Sequence, residues 1–137
     1  MVSEVAERNS LKISSEQDIV LVRKTVRDVC RDAGFGLTDV TRIVTAASEL
    51  ARNIYRYADH GTLTWNMVSD GMKSGLELIF ADQGPGIEDV NMALQEGYTT
   101  ARSMGMGLPG TKKLMDDMVI ETKLGVGTKI TIRKWVR

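Results

Sequence analysis

The sequence predicts an α/β (α+β) domain with helices early in the chain and mostly strands later. Two observations predict this class. Apolar residues recur every three or four positions over residues 16–34 and 38–55, as on the buried side of a helix. Over residues 62–69, apolar and polar residues alternate, as in a half-buried strand, and further strand-like runs follow. One such domain fits 137 residues, because a chain of this size buries roughly two-thirds of the surface that it exposes when unfolded.

The first half of the chain is predicted to contain a short strand and two helices. Residues 1–10 are polar and are expected to form a flexible N-terminus, so that the folded domain spans residues 11–137. Serine and acidic side chains favour a helix start, and glycine favours a helix end. The predicted elements are a strand at residues 11–13, a helix from Ser14 or Ser15 to Gly34, and a helix capped by Thr38-Asp39 that continues to Tyr55.

The second half is predicted to contain four strands, one helix and a long connection. Asp82 directly follows a buried strand, at the kind of strand end where ligands often bind. The glycine-punctuated residues 84–107, with a short helix near residues 90–94, are expected to form a lid. The predicted elements are strands at 62–69, 76–81, 118–122 and 129–135, loops at 71–75 and 124–127, and a helix at 108–115.

Composition excludes several classes of function. Eighteen basic residues balance eighteen acidic ones, so the chain lacks the basic excess with which proteins neutralise nucleic-acid phosphates. Cys30 is the only cysteine, which rules out an internal disulfide and predicts a reduced, structural thiol. The N-terminal residues lack the basic and apolar regions of a signal peptide, and no apolar run approaches the roughly 18 residues that span a bilayer. We expect a cytoplasmic protein that binds neither nucleic acid nor a membrane.

A glycine-rich stretch at residues 105–110 resembles two phosphate-binding motifs without matching either. A Walker loop needs Gly-Lys-Ser/Thr, whereas Gly110-Thr111-Lys112 reverses that order. The spacing Gly-x-Gly-x-x-Gly fits a dinucleotide fingerprint, but the fingerprint must follow a strand and the four preceding residues do not form one. Two interpretations remain: backbone N–H groups that approach an anion at a helix start, or an ordinary glycine hinge.

Asp82-Gln83-Gly84-Pro85-Gly86 also has two interpretations. The Asp82 side chain could accept hydrogen bonds within its own turn, as many turn aspartates do. Alternatively, its carboxylate could accept the exocyclic amine of adenine, with Gly84 and Gly86 leaving room for the ring.

Glu49 and Asn53 lie four residues apart and therefore share one face of the second predicted helix. They could be solvated polar residues, with Glu49 paired to Arg52 one turn later. They could also bring a carboxylate and a carboxamide to one site.

The order of these motifs resembles the GHKL ATP-binding family, which includes gyrase, MutL and histidine kinases. The shared order is Glu-x-x-x-Asn on a helix, Asp-x-Gly-x-Gly after a strand, a long lid, Gly-x-Gly at a helix start and a late Gly-Thr. Within the family, residues 48–55, 82–87 and 107–110 most resemble RsbT-type serine/threonine switch kinases of bacterial stressosomes, followed by anti-sigma factor kinases. The resemblance implies a two-layer sandwich of a mixed, mainly antiparallel sheet with helices on one face.

The resemblance implies an ATP site that uses Mg²⁺. Asn53 would ligate the metal, a role that suits a hard oxygen ligand. Asp82 would accept adenine N6, and Gly84 and Gly86 would form the wall beside the ring. The phosphates would bind backbone amides of the segment containing Gly105, Met106, Gly107, Leu108 and Gly110.

Three further roles follow from the same resemblance. Glu49 would accept or orient the proton of an attacking hydroxyl group. Thr128 would place its hydroxyl near adenine and an ordered water. Arg56 could contact phosphate, although a solvent-facing arginine is an equal alternative.

The implied function is an ATP-dependent serine/threonine kinase. It would phosphorylate STAS-domain stressosome proteins and, when released, activate a PP2C-type phosphatase. The alternative is an anti-sigma factor or an ATP-gated binding module of the same fold. His60 lies in a predicted turn, which disfavours an autophosphorylating histidine kinase. A gyrase- or MutL-type ATPase is also disfavoured, because those enzymes need a transducer domain and the sequence ends at Arg137.

Overall fold

A computed structural model describes residues 9–87 and 107–137. Most of the predicted N-terminal segment and most of the predicted lid, including its short helix, therefore lie outside the described residues. The elements are β1 (Ser10–Ile13), α1 (Glu16–Ala33), α2 (Leu37–Tyr57), β2 (Gly61–Ser69), β3 (Ser74–Asp82), α3 (Leu108–Leu114), β4 (Asp117–Lys123) and β5 (Gly127–Trp135).

The five described strands form one sheet in the order β1-β2-β3-β5-β4. Each neighbouring pair is antiparallel. Alternate residues of β3 and β5, Leu76, Leu78, Phe80, Ile130 and Ile132, are buried in the same core as the apolar sides of α1 and α2. The predicted α/β fold with a mainly antiparallel sheet is confirmed.

Helix α1 begins and ends as its sequence predicts. Ser15 is the N-cap, and its hydroxyl accepts a hydrogen bond from the Asp18 N–H group at 3.2 Å. Gly34 ends the helix with φ 93°, a left-handed conformation that suits glycine. Along this helix, Cys30 is fully buried, and burial raises the pKa of its thiol to about 12. The thiol is therefore a packing group, as predicted.

Helix α2 begins earlier than its sequence predicts. Gly36 is the N-cap and Leu37 the first helical residue, so the predicted capping by Thr38-Asp39 is wrong. Gly36 has the extended conformation of an N-cap without supplying a side-chain hydrogen bond. Asp39 instead lies in the first turn, where the helix dipole favours a carboxylate.

The C-terminal end of α3 is attached to the sheet by a buried lysine. The Lys134 ammonium donates to the Leu114 carbonyl at 2.8 Å and lies 3.9 Å from an Asp116 carboxylate oxygen. Asp116 also accepts two hydrogen bonds from Arg137, each 3.0 Å long. These contacts give Asp116 a structural role that the sequence did not predict.

None of the described helices is long and apolar enough to cross a membrane.

Candidate functional site

Asp82 lies at the end of β3, directly opposite Thr128 of β5. Its Oδ1 atom accepts a hydrogen bond from the Gly84 N–H group at 2.9 Å. The first of the two interpretations, a hydrogen bond within its own turn, therefore applies to Asp82. Burial nevertheless raises the pKa of the Asp82 carboxyl, against the opposing effects of the Gly84 and Thr128 N–H groups and of His60. A desolvated carboxylate that its own turn does not fully stabilise is typical of a ligand-binding position.

The two glycines after Asp82 have packing roles in the fold. A Cβ atom on Gly84 would lie 2.6 Å from the Cβ atom of Ala58, which follows α2. Gly86 has φ 80°, and a Cβ atom there would lie 2.6 Å from the Lys123 carbonyl oxygen. Only glycine fits between these elements. The predicted adenine wall at Gly84 and Gly86 stays a prediction.

Glu49 lies near the middle of α2 and faces the start of α3. Its Oε1 atom pairs with Arg52 at 2.5 Å, so the ion pair that the sequence offered as one alternative is present. Its Oε2 atom lies 2.9 Å from the position that a Cβ atom on Gly107 would occupy. The structure thus brings together the predicted base and the predicted phosphate-binding segment, and the Glu49 side chain is 37% exposed.

Asn53 and Arg56 follow Glu49 along α2. Asn53 is 7% exposed, which places a carboxamide at a mostly buried position one turn after Glu49. Such a group suits Mg²⁺, which takes one or two protein oxygens and fills its shell with phosphate and water. Arg56 is exposed in the last turn, consistent with the solvent-facing alternative. Within the described parts of the chain, no cluster of three or more His, Cys, Asp or Glu side chains could hold a metal.

The predicted phosphate-binding segment is described from Gly107 onward, and Gly105 and Met106 lie outside the described residues. Gly107 is the N-cap of α3, and its carbonyl accepts the Thr111 N–H group at 2.8 Å. The Leu108 side chain is fully buried, so only its backbone could meet a ligand. A Cβ atom on Gly110 would meet no neighbour within 4 Å, so packing does not explain a glycine there.

Sequence analysis missed Thr122, which contacts Thr128 across the β4–β5 hairpin. The two hydroxyl oxygens are 2.9 Å apart. Thr122 Oγ1 also accepts the Ile87 N–H group at 2.9 Å and lies 3.1 Å from the Gly127 carbonyl oxygen. The symmetric spacing of residues 122 and 128 about Gly125 could have revealed this pair, because hairpin partners face each other across the turn.

Two cavities flank the end of β3, with volumes of ≈ 360 and ≈ 350 Å³. Both are lined by Ala81, Asp82 and Gln83; the first extends to the β4–β5 hairpin and the second to β1 and β2. Neither of these two cavities includes Glu49 or Asn53. The described site residues therefore form two groups, one around Asp82 and one around Glu49.

Helix α2 joins the two groups. Its middle carries Glu49, and Ala58 just beyond its end packs against Gly84. At 1.5 Å per residue, these two positions are roughly 14 Å apart along the helix axis. This separation suits a ligand with a ring at one end and phosphates at the other.

The fold is that of an ATPase domain, as comparison with known proteins shows, and the assignment of the two groups to a nucleotide stays a prediction. The chain belongs to the histidine kinase-like ATPase domain family, whose model matches residues 13–134. It is 44% identical over 131 residues to the serine/threonine-protein kinase RsbT of Bacillus subtilis strain 168, covering 96% of this chain and 98% of that protein. It is 30% identical over 135 residues to an anti-sigma F factor of Clostridium kluyveri, covering 92% and 94% of the two chains.

Solved structures support the same fold. The RsbU and RsbW domains of a Mycobacterium tuberculosis protein match with a TM-score of 0.63 at 17% identity, over 91% of this chain and 32% of that one. The mycobacterial sensor histidine kinase MprB matches with a TM-score of 0.56 at 15% identity, over 93% and 97%. The resemblance to the GHKL family and to its RsbT-type members is confirmed.

Proposed function

We propose that this chain is an ATP-dependent protein serine/threonine kinase, cytoplasmic and dependent on Mg²⁺. The position of Glu49 carries the proposal: its carboxylate lies one turn before Asn53 and against Gly107 at the start of α3. Phosphoryl transfer needs positioning and charge neutralisation more than covalent chemistry. The similarity to a protein named as a serine/threonine kinase supports the same activity.

In this mechanism, the residues around Asp82 and the residues around Glu49 act at opposite ends of the nucleotide. Asp82 accepts N6, while Thr128 and the Gly84–Gly86 turn shape the ring site. Backbone amides of residues 105–110 would hold the phosphates, and Asn53 would supply an oxygen to Mg²⁺, whose charge would neutralise the charge that develops on the transferred group. Arg52 holds Glu49 Oε1, which leaves Oε2 to accept or orient the proton of the substrate hydroxyl.

We further propose that the substrates are STAS-domain proteins of a stressosome and that the released kinase activates a PP2C-type phosphatase. The support is the similarity to RsbT and to anti-sigma factors. The folded kinase domain would span residues 11–137 together with Ser10, which is already paired with Thr64 in the sheet. Incubation with γ-labelled ATP, Mg²⁺ and purified STAS-domain proteins should yield acid-stable phosphoserine or phosphothreonine. Bound nucleotide without such a product would refute the kinase proposal.

The second candidate is an anti-sigma factor or ATP-gated binding module, favoured by the 30% identity to an anti-sigma F factor. In such a protein, nucleotide occupancy alone would control partner capture. Replacing Glu49 by glutamine separates the two candidates, because a binding module would keep its regulation and a kinase would lose transfer.

Asp82→Asn is expected to weaken ATP binding about ten- to a hundredfold, because the acceptor facing N6 becomes partly a donor. Its effect on stability should be neutral or favourable. The folded-state pKa of Asp82 is raised, so the folded protein binds the proton more tightly, and stability falls as pH rises through that pKa. At neutral pH the asparagine therefore removes a desolvation cost. Calorimetry and urea unfolding measure the two effects.

Asp70→Asn is the matched control for Asp82→Asn. Asp70 also accepts turn hydrogen bonds, from the Met72 and Lys73 N–H groups, but it lies in the β2–β3 turn at the other end of β3. Its replacement should leave ATP affinity unchanged. Unchanged affinity in Asp82→Asn as well would remove Asp82 from the adenine site.

Asn53→Ala is expected to weaken Mg-ATP about tenfold and metal-free ATP much less, since it removes a metal ligand. Calorimetric titrations with Mg²⁺ and with a chelator measure both affinities. Asn66→Ala, at an exposed position on β2, is the control. Equal losses with and without metal would argue against ligation by Asn53.

A further inference from the structure

The Thr122 hydroxyl is the centre of a hydrogen-bond cluster beside Asp82. Its Oγ1 atom lies 2.9 Å from the Ile87 nitrogen, 3.1 Å from the Gly127 carbonyl oxygen and 2.9 Å from Thr128 Oγ1. Two of these partners come from the β4–β5 hairpin, and Ile87 comes from the chain that follows β3. The cluster thus joins both sides of the proposed adenine site.

The donor and acceptor types determine where the protons lie. A threonine hydroxyl has one proton and two lone pairs. The Ile87 N–H group can only donate, so it takes one lone pair of Thr122. The Gly127 carbonyl can only accept, so it takes the Thr122 proton. The Thr128 proton then goes to the second lone pair of Thr122, and all the groups are satisfied.

In this arrangement, Thr128 has only lone pairs left for a ligand. Asp82 lies directly opposite Thr128 and is also an acceptor, with its Oδ1 atom already bonded to the Gly84 N–H group. A water that donates both protons to these two side chains would likewise offer only lone pairs. The proposed adenine site therefore accepts hydrogen bonds, whether directly or through one water.

We propose that Thr122 is a specificity-determining positioning residue, which orients the Thr128 hydroxyl as an acceptor and so favours a 6-amino purine over a 6-oxo purine. The inference rests on the proposed ATP site. Adenine carries an amine at position 6, which donates, whereas hypoxanthine and guanine carry a carbonyl oxygen there, which accepts. When an acceptor of the protein faces that oxygen, neither group has a proton to donate. No hydrogen bond forms, and the affinity for the nucleotide is lower.

ATP and inosine triphosphate (ITP) are the sharpest pair of probes, because ITP replaces the 6-amino group by oxygen without adding the 2-amino group of guanine. Calorimetry would give both dissociation constants for wild type, Thr122→Val and Thr122→Ser. Valine keeps the shape of threonine and frees the Thr128 proton to donate to a carbonyl oxygen. We expect Thr122→Val to reduce the preference for ATP about three- to tenfold, and Thr122→Ser to preserve it.

Two controls distinguish a change in the preference for ATP over ITP from a general loss of structure around Thr122. Thr131→Val removes a hydroxyl from β5 at a position that alternates with the buried Ile130 and Ile132, and it should leave the ATP-to-ITP ratio unchanged. Hydrogen exchange of the Ile87 amide should accelerate in Thr122→Val and stay slow in Thr122→Ser, with or without nucleotide. Equal weakening of ATP and ITP in Thr122→Val would reduce Thr122 to a structural role and overturn the inference.

The outcomes also distinguish this inference from the proposed function. A wild-type protein that prefers ATP, together with a Thr122→Val variant of unchanged preference, would refute only the role of Thr122. A wild-type protein that binds neither nucleotide, or binds both equally, would refute the adenine site and the inference with it.

Discussion

Glu49→Gln is expected to slow phosphoryl transfer about 10²–10⁴-fold, the range over which a positioned general base acts. Nucleotide affinity should change little, because glutamine keeps the size of the side chain beside Gly107. The ion pair with Arg52 is lost in this variant, but both side chains are more than one-third exposed, so its contribution to stability is small. Single-turnover transfer from γ-labelled ATP and calorimetric ATP binding measure the two properties.

Glu77→Gln is the matched control for Glu49→Gln. Glu77 also pairs with an arginine, Arg133, at 2.6 Å, but it alternates along β3 with the buried Leu76 and Leu78 and so points away from the helices. This variant should keep full transfer. A Glu49→Gln enzyme that transfers phosphate at the wild-type rate would leave the nucleotide site intact and deprive Glu49 of its catalytic role.

Gly127→Ala is expected to destabilise the fold by about 3 kcal/mol or more, since it combines backbone strain with a steric overlap. Gly127 has φ 150°, and a Cβ atom there would lie 2.1 Å from the Asp82 carbonyl oxygen. Strands β3 and β5 would have to separate where Asp82 pairs with Thr128. The urea midpoint at constant m-value measures the loss, and ATP affinity should fall with it.

Comparison with Gly125→Ala separates the steric part of that effect from the backbone strain. Gly125 lies in the same hairpin with φ 76°, but a Cβ atom there would meet nothing within 4 Å. Its replacement should cost only about 1–2 kcal/mol for the left-handed conformation. If both alanine variants lost the same stability, the close approach of β5 to Asp82 would not be what requires glycine at position 127.

Local chemistry explains which features the sequence predicted. Ser15 and Gly34 limit α1 because capping depends on neighbouring residues. Asp82 was located because strand periodicity ends there. The start of α2 was missed, since Gly36 supplies no side-chain cap to recognise. The contact of Thr122 with Ile87 could not be predicted, because it spans 35 residues and long-range pairing leaves no periodic pattern, whereas its pairing with Thr128 could have been inferred from the hairpin.

The packing of Gly84 and Gly86 affects how related sequences should be interpreted. Gly84 lies against Ala58 and Gly86 against the Lys123 carbonyl, so selection for a folded protein alone would preserve both glycines. A related protein that had lost nucleotide binding would therefore still carry both glycines. Glu49, partly exposed and absent from the apolar core, is under no such packing constraint. Among relatives of this chain, the residue at position 49 should therefore separate enzymes from pseudoenzymes more reliably than the glycine signature.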